Sequence, residues 1–299
     1  MKQAPNALQA TCADGVQLAV SHYPSALNQP LKGTIIVASA LGVPQQLYRK
    51  FAEFWAADGY QCLTFDYRGT YASAASTSNP VLLEDWGRQD IAALITLAQS
   101  LNPQQQSPAP PLCLVGHSIG GQVCGLAPNA PALAGLVLVA ASAPYWRRWD
   151  FPTNLAMLLF GRVLLPGLCL GRRQFPGRFA GLGNAKIPTA VARRWGQWMA
   201  EPEYLFSETF SLDTSLYRQL ERPLLSFDFD DDAMAPAQNV HALLTHFPRA
   251  KIDSRSIQAS QVSDTAIGHM GYFRENCRAS LWRSTQQWLE ASMPISARY

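Results

Sequence analysis

An apolar run that ends abruptly in closely spaced glycines constrains this chain more than any other feature. Residues 111–121 read Pro-Leu-Cys-Leu-Val-Gly-His-Ser-Ile-Gly-Gly, and Gly116-His117-Ser118-Ile119-Gly120 fits G-x-S-x-G. The apolar half has the length and composition of a buried strand. The glycine half suits a sharp turn into a helix. Small residues on both sides let the two backbones close up, and the serine hydroxyl is lifted to the top of a sheet. Five residues of so common a kind also arise by chance, so the weight falls on the surrounding chain.

That chain alternates strands and helices. Strands are expected at 34–39, 61–66, 112–117, 135–140 and 223–229, with a weak one at 250–257. A further strand near the N-terminus contains His22. Helices are expected at about 45–58, 85–101, 237–246 and 275–291. In the first of these, Leu47, Phe51, Phe54 and Trp55 recur at helical spacing and define one apolar face. The loop after residue 70 is small and polar to about Pro80, and 102–111 reads as a Pro/Gln-rich surface linker. Such alternation implies a mainly parallel sheet with helices on both faces. It lapses between 144 and 222, where helical fragments such as 189–199 are broken by Pro and Gly. A usual strand–helix connection has about 2–6 residues. The reading is therefore an α/β core, 1–143 with 223–299, carrying a helical lid or cap at 144–222.

Composition excludes several classes. Hydrophobic residues make up 48% of the 299 and charged ones 15%, which suits a large core and not a disordered chain. A net charge of +3 with no long basic run argues against nucleic acid. The six cysteines form no C-x-x-C, so neither a zinc site nor a thioredoxin-like motif is expected. Cys62 and Cys113 fall in apolar strands and are read as reduced. With no apolar leader at the N-terminus, a cytoplasmic location is expected. Residues 151–170 come nearest to a membrane span, but Pro152, Arg162 and Pro166 interrupt them.

A serine hydroxyl is a weak nucleophile until a base takes its proton, and the base needs an orienting acid. On sheets carrying such a turn, the acid and then the histidine follow the serine in chain order. Of five histidines, His22 precedes Ser118, and His117 adjoins it but points away from the reactive side. His241 and His246 share one amphipathic helix and read as surface or boundary residues. His269 lies in the glycine-flanked loop 266–271 before the closing helix, where a base can be presented at the sheet edge. The acid should follow strand 223–229. Asp228 is still in the strand. Among Asp230, Asp231 and Asp232, Asp232 is preferred for its place four residues before Pro236, with Asp231 the runner-up. A calcium loop starting at Asp228 fails because Ala233 and Asn239 stand where Gly and Glu are needed. The oxyanion donors are expected at the backbone N–H groups of Ile119 and Leu41, with Gly42 easing the close approach. No cofactor or metal is implied.

At this point the chain resembles the α/β-hydrolase superfamily, and within it bacterial hydrolases related to the serine-aminopeptidase and monoglyceride-lipase branch. The resemblance covers about residues 10–291. Its segments are Ala38–Pro44, Phe65–Gly69, Val115–Gly121, Asp231–Pro236 and Ile267–Phe273. Ser39-Ala40 replaces the His-Gly common in the oxyanion loop, a change that spares backbone donors. Asp66 and Arg68 match the D-x-R-G turn, which implies an ion-pair or loop-bracing role. The resemblance implies an acyl-enzyme on Ser118, with His269 as base then acid and Asp232 behind it.

The lid segment is rich in Leu, Phe and Trp. It is read as a small lid core, or more sharply as the roof of an apolar acyl pocket that also touches lipid or a second subunit. The expected function is hydrolysis of a carboxylic ester with a small to medium apolar acyl group. A thioesterase, an amidase or peptidase, and an acyltransferase use the same three residues. A binding protein of the same fold without turnover is the alternative of another class.

Overall fold

Strands that are mainly apolar along their whole length need cover on both faces, and the chain supplies it. The computed structural model describes residues 4–27, 29–75, 80–102, 109–180, 182 and 185–293. Its strands are β1 (Asn6–Thr11), β2 (Gln17–Tyr23), β3 (Gly33–Ala38), β4 (Tyr60–Phe65), β5 (Leu112–His117), β6 (Gly135–Val139), β7 (Gln174–Pro176), β8 (Lys186–Pro188), β9 (Pro223–Phe229) and β10 (Lys251–Ile257). Eight of them form one sheet in the order β1-β2-β4-β3-β5-β6-β9-β10. Only β2 runs against the rest.

Every residue of β3, β4, β5 and β6 is buried. Alternate side chains enter two separate cores. Ile36, Leu63, Leu114 and Leu138 pack with Trp86 and Leu94 on one face. Ile35, Cys62, Cys113 and Val137 pack with Phe51, Trp55 and Trp282 on the other. The strand order reverses at β3, which lies between β4 and β5. Loops leaving neighbouring strands on either side of such a reversal diverge, and open a crevice at the strands' carboxyl ends.

Two sequence expectations need adjustment. The helix expected at 45–58 begins as a 3-10 turn, Gln45–Tyr48, before the α-helix Arg49–Ala57. Three residues per turn instead of 3.6 shifts the phase. Leu47 therefore leaves the apolar face and is 39% exposed, while Tyr48 is buried instead. Helical residues 83–100, expected at 85–101, include a π-helical turn at Trp86–Ile91. Residues 76–79 of the expected polar loop, and 103–108 of the expected linker, lie outside the described residues.

Between β6 and β9 the chain leaves the sheet for an inserted, mainly helical region that is consistent with a lid. Thr153–Leu159, the π turn Phe160–Leu164 and Leu165–Leu168 run on as one helical stretch. The antiparallel pair β7–β8 follows, then helix Thr189–Ala200. The two helical segments cross closely at Gly161 and Gly196, where a Cβ on Gly196 would stand 3.0 Å from the Gly161 carbonyl oxygen. Arg194 ties this region to the core through a forked pair with Glu84, a carboxylate whose side chain is 3% exposed. Among the described residues, no helix is long and apolar enough to cross a membrane.

Candidate active site

Ser118 occupies the junction of β5 and helix Ile119–Gln122 with φ 52° and ψ −117°. A positive φ on a residue with a Cβ costs on the order of 1–3 kcal/mol, so the surroundings must enforce it. They do so from both sides. The Ser118 N–H extends the sheet ladder to the Val139 carbonyl at 2.9 Å, and its own carbonyl accepts from Gly121 and Gln122 at 3.0 Å. A Cβ on Gly116 would lie 2.5 Å from the Gly121 Cα, and one on Gly120 would run into the Ala38 carbonyl. Helix and strands can therefore meet this closely only with glycine at both positions.

His269 and Asp232 arrive from the far end of the chain. Asp232 follows β9 and is 4% exposed. Its Oδ2 accepts from His269 Nδ1 at 2.7 Å. Its Oδ1 accepts from the Met234 and Ala235 N–H groups at 2.9 and 3.2 Å. Asp231 does something different. Its two oxygens accept from the Ile267 and Gly268 N–H groups, both at 2.8 Å. It holds the backbone of the loop that carries His269, and Asp232 is the aspartate that touches the ring. Asp230 accepts from the Ala259 N–H, and Asp228 from the Ser256 hydroxyl, both at 2.9 Å. His241 is exposed, while His246 stacks on Phe206 with centroids 3.5 Å apart.

Ser118, His269, Leu41 and Ile119 all line one cavity of about 330 Å³. The Leu41 and Ile119 N–H groups make no hydrogen bond among the described residues. The loop bearing Leu41 is fastened around them. The Ala40 N–H donates to the Tyr48 hydroxyl at 2.9 Å, and the Tyr71 hydroxyl donates to the Gly42 carbonyl. Asp66 accepts from the Gln45 N–H at 2.9 Å and from its side-chain amide at 3.1 Å. Asp66 of the D-x-R-G turn thus braces the loop. Arg68 instead pairs with Asp90 and Asp14, both at 2.6 Å.

Sequence reasoning missed the part played by His117. The ring is fully buried. Its Nε2 lies 2.8 Å from the His269 carbonyl oxygen, and its Nδ1 lies 2.8 Å from the Tyr48 hydroxyl. A carbonyl only accepts, so Nε2 carries the proton and Nδ1 accepts from Tyr48. A continuous chain of donors therefore runs from Ala40 through Tyr48 and His117 to the backbone of His269. Burial, and then the neighbouring His269, hold the His117 pKa down at about 3. Tyr48, Gln122 and Tyr204 were not singled out from the sequence either. Tyr204 donates to Gln122 Oε1 at 2.6 Å and fixes a polar side chain in the cavity wall. These partners stand 69, 152 and 82 positions apart, beyond the reach of any local pattern.

The roof of the cavity comes from the inserted region, with Trp149, Met157, Phe160, Phe179 and Trp195 in its lining. Trp149 is fastened through its Nε1–H to the Ala233 carbonyl at 3.1 Å, one residue past Asp232. Among the described residues no cluster of His, Cys, Asp and Glu is arranged to hold a metal ion.

Comparison with known proteins bears on the fold and the family. An esterase from Thermogutta terrifontis superimposes with a TM-score of 0.62 at 18% identity, covering 96% of this chain and 99% of that one. A soluble variant of monoglyceride lipase from Saccharomyces cerevisiae gives 0.66 at 14%, with 97% and 96% covered. An esterase from Exiguobacterium antarcticum gives 0.60 at 13%, with 94% and 98% covered. Likenesses at such low identity concern the fold. No curated protein sequence matches the chain. The pattern of the alpha/beta hydrolase family matches residues 35–268, from β3 through the loop before His269. With that match over most of its length, the chain belongs to the alpha/beta hydrolase family.

Proposed function

We propose that the protein is a serine hydrolase that cleaves a carboxylic ester with a small to medium apolar acyl group, through an acyl-enzyme on Ser118. The observation that carries this reading is the Asp232–His269 contact at 2.7 Å, with His269 lining the same cavity as a serine held at positive φ. With Nδ1–H engaged by Asp232, Nε2 of His269 is the free lone pair, so the imidazole can take the Ser118 proton as the hydroxyl attacks. Charge then collects on the carbonyl oxygen, where the Leu41 and Ile119 N–H groups are the donors. His269 returns the proton to the leaving alcohol, and water repeats the sequence to free the acid. Asp231 has a positioning role.

Residues 144–222 act as a lid over an apolar acyl pocket, and 1–143 with 223–299 form the catalytic core. The apolar lining favours the lipase-like side of the branch that the sequence resembles. The outer face of the lid is the place for lipid contact. Six free, buried cysteines suit a reducing compartment, the cytoplasm.

A fluorophosphonate probe tests the chemistry. Wild type should label covalently, and Ser118→Ala should not. Equal labelling of the variant, or none of wild type, overturns the reading and leaves a binding protein of this fold. A series of p-nitrophenyl esters from acetate to octanoate, run beside matched thioesters and anilides, then fixes acyl length and leaving group. A sharp preference for acetate counts against the acyl pocket.

A further inference from the structure

The lid helix has two apolar faces where one would suffice. Met157 and Phe160 line the cavity. Away from the cavity, Leu155, Leu159 and Val163 recur every four residues along the helix and are 51% to 61% exposed, and Phe151, two residues before the helix, is 77% exposed. Leu170, just past the helical stretch, is 72% exposed, and Phe179, at 45%, belongs both to the surface and to the cavity lining. Phe179 therefore stands where the cavity opens to the surface. A face this apolar, left in water, needs a partner.

Charge identifies the partner. Residues 144–200 hold nine arginine and lysine residues against one acid, Asp150, in a chain whose net charge is only +3. Arg147, Arg162, Arg172, Arg173 and Arg178 are exposed, and none has a carboxylate partner among the described residues. The rest of the molecule is thus net acidic, and the cations concentrate on the segment that shows the apolar stripe. A second copy docked by a two-fold contact would set this cationic segment against itself. A bilayer or micelle with anionic head groups satisfies both halves of the surface. Apolar side chains enter the acyl boundary, and arginines stay at head-group level.

We propose that the outer face of the lid is a docking surface for an anionic lipid–water interface. Docking sets the cavity mouth at Phe179 against the lipid, so an apolar acyl ester can pass to Ser118 with little exposure to water. The docking rests on the surface alone; its use as a route to Ser118 rests on the serine-hydrolase reading.

The test uses full-length Ser118→Ala, so no lipid is consumed. It is sedimented with vesicles of phosphatidylcholine, alone or with about one third phosphatidylglycerol. Partition should favour the anionic vesicles by about tenfold or more and fall steeply in about 0.5 M salt, as expected when several cations contribute. Adding Leu155→Glu and Leu159→Glu should abolish partition. Adding Arg172→Gln and Arg173→Gln should remove most of the anionic preference. The same surface changes in the Ser118 protein should leave fluorophosphonate labelling intact, which shows that the fold survives. Failure to partition on anionic vesicles overturns the proposal, as does partition that ignores these substitutions. So does a dimer by light scattering that Leu159→Glu splits, because the face is then covered by a second copy. Labelling of Ser118 is read separately, so failure of docking and failure of the hydrolase reading stay distinguishable.

Discussion

Two adjacent aspartates, Asp231 and Asp232, divide the work at the acid position. One braces a loop by two backbone N–H groups, and the other carries the His269 ring. Asp232→Asn should preserve the fold and lower kcat by roughly 10³–10⁴-fold, because the amide no longer favours Nδ1–H or stabilises the imidazolium. Asp231→Asn keeps acceptors for the loop only in part. It should cost less than about 100-fold in kcat and show mainly as a lower Tm. Steady-state rates and thermal melts on both variants check this split, and the reverse order would reassign the acid. His117 calls for a pH experiment. Its folded pKa of about 3 lies below the unfolded value near 6.5. As pH falls through 6.5 the unfolded chain takes up a proton that the folded ring refuses, so this stabilising contribution is lost between 6.5 and 3. Asp90, pushed up to about 6 by burial, works the other way, since its folded form takes a proton first. The His117 effect therefore appears as a difference. The stability gap between wild type and His117→Asn, from urea titrations, should shrink by about 2 kcal/mol from pH 7 to pH 5. A gap independent of pH would refute the neutral buried assignment.

At the level of elements, the contrast is between patterns written locally and those written at a distance. The apolar runs of β3, β5, β6 and β9 and the helix at Arg49–Ala57 were legible because buried elements leave a run or a period of apolar residues. The loops carrying Ser118, Asp232 and His269 were legible because each follows or precedes such an element. Leu47 was misplaced because a 3-10 turn changes the period without changing the residues' hydrophobicity. The β7–β8 pair was missed because three-residue strands with Pro176 and Pro188 show no alternation. The Glu84–Arg194 clasp also left no local trace, since the partners are 110 residues apart. It supports a prediction about the inserted region. Arg194→Met leaves a carboxylate buried without its cation and should destabilise the protein by about 2 kcal/mol, below the 3–5 kcal/mol of a wholly buried pair because Arg194 is partly solvated. Glu84→Leu combined with Arg194→Met should regain most of that. Urea midpoints for the single and double variants decide it, and additive losses would rule out coupling between the two.

For the molecule as a whole, two cores divided by one sheet absorb all six thiols, none more than 3% exposed. Burial also pushes Cys12, Cys113 and Cys124 up to about 12. The thiolate is the reactive form. Native protein should consume almost no Ellman's reagent over the first minutes at pH 8, and about six equivalents in 6 M guanidinium. Fast modification of one thiol would mark an opening in the fold that the packing does not allow.

The insertion between β6 and β9 also bears on how the molecule is made. Pairing of Val139 with Phe227 completes the middle of the sheet, yet the two residues leave the ribosome some 90 positions apart. At about 5–20 residues per second, roughly 4–18 s separate them. During that interval β1 to β6 can assemble behind the tunnel while the free edge of β6, Gly135–Val139, waits without a neighbour. An apolar unpaired edge is open to strangers. The insert that roofs the finished cavity is synthesised in this gap, which makes it the first chain able to shield that edge. Vectorial synthesis thus gives the insert a task before there is any cavity to roof.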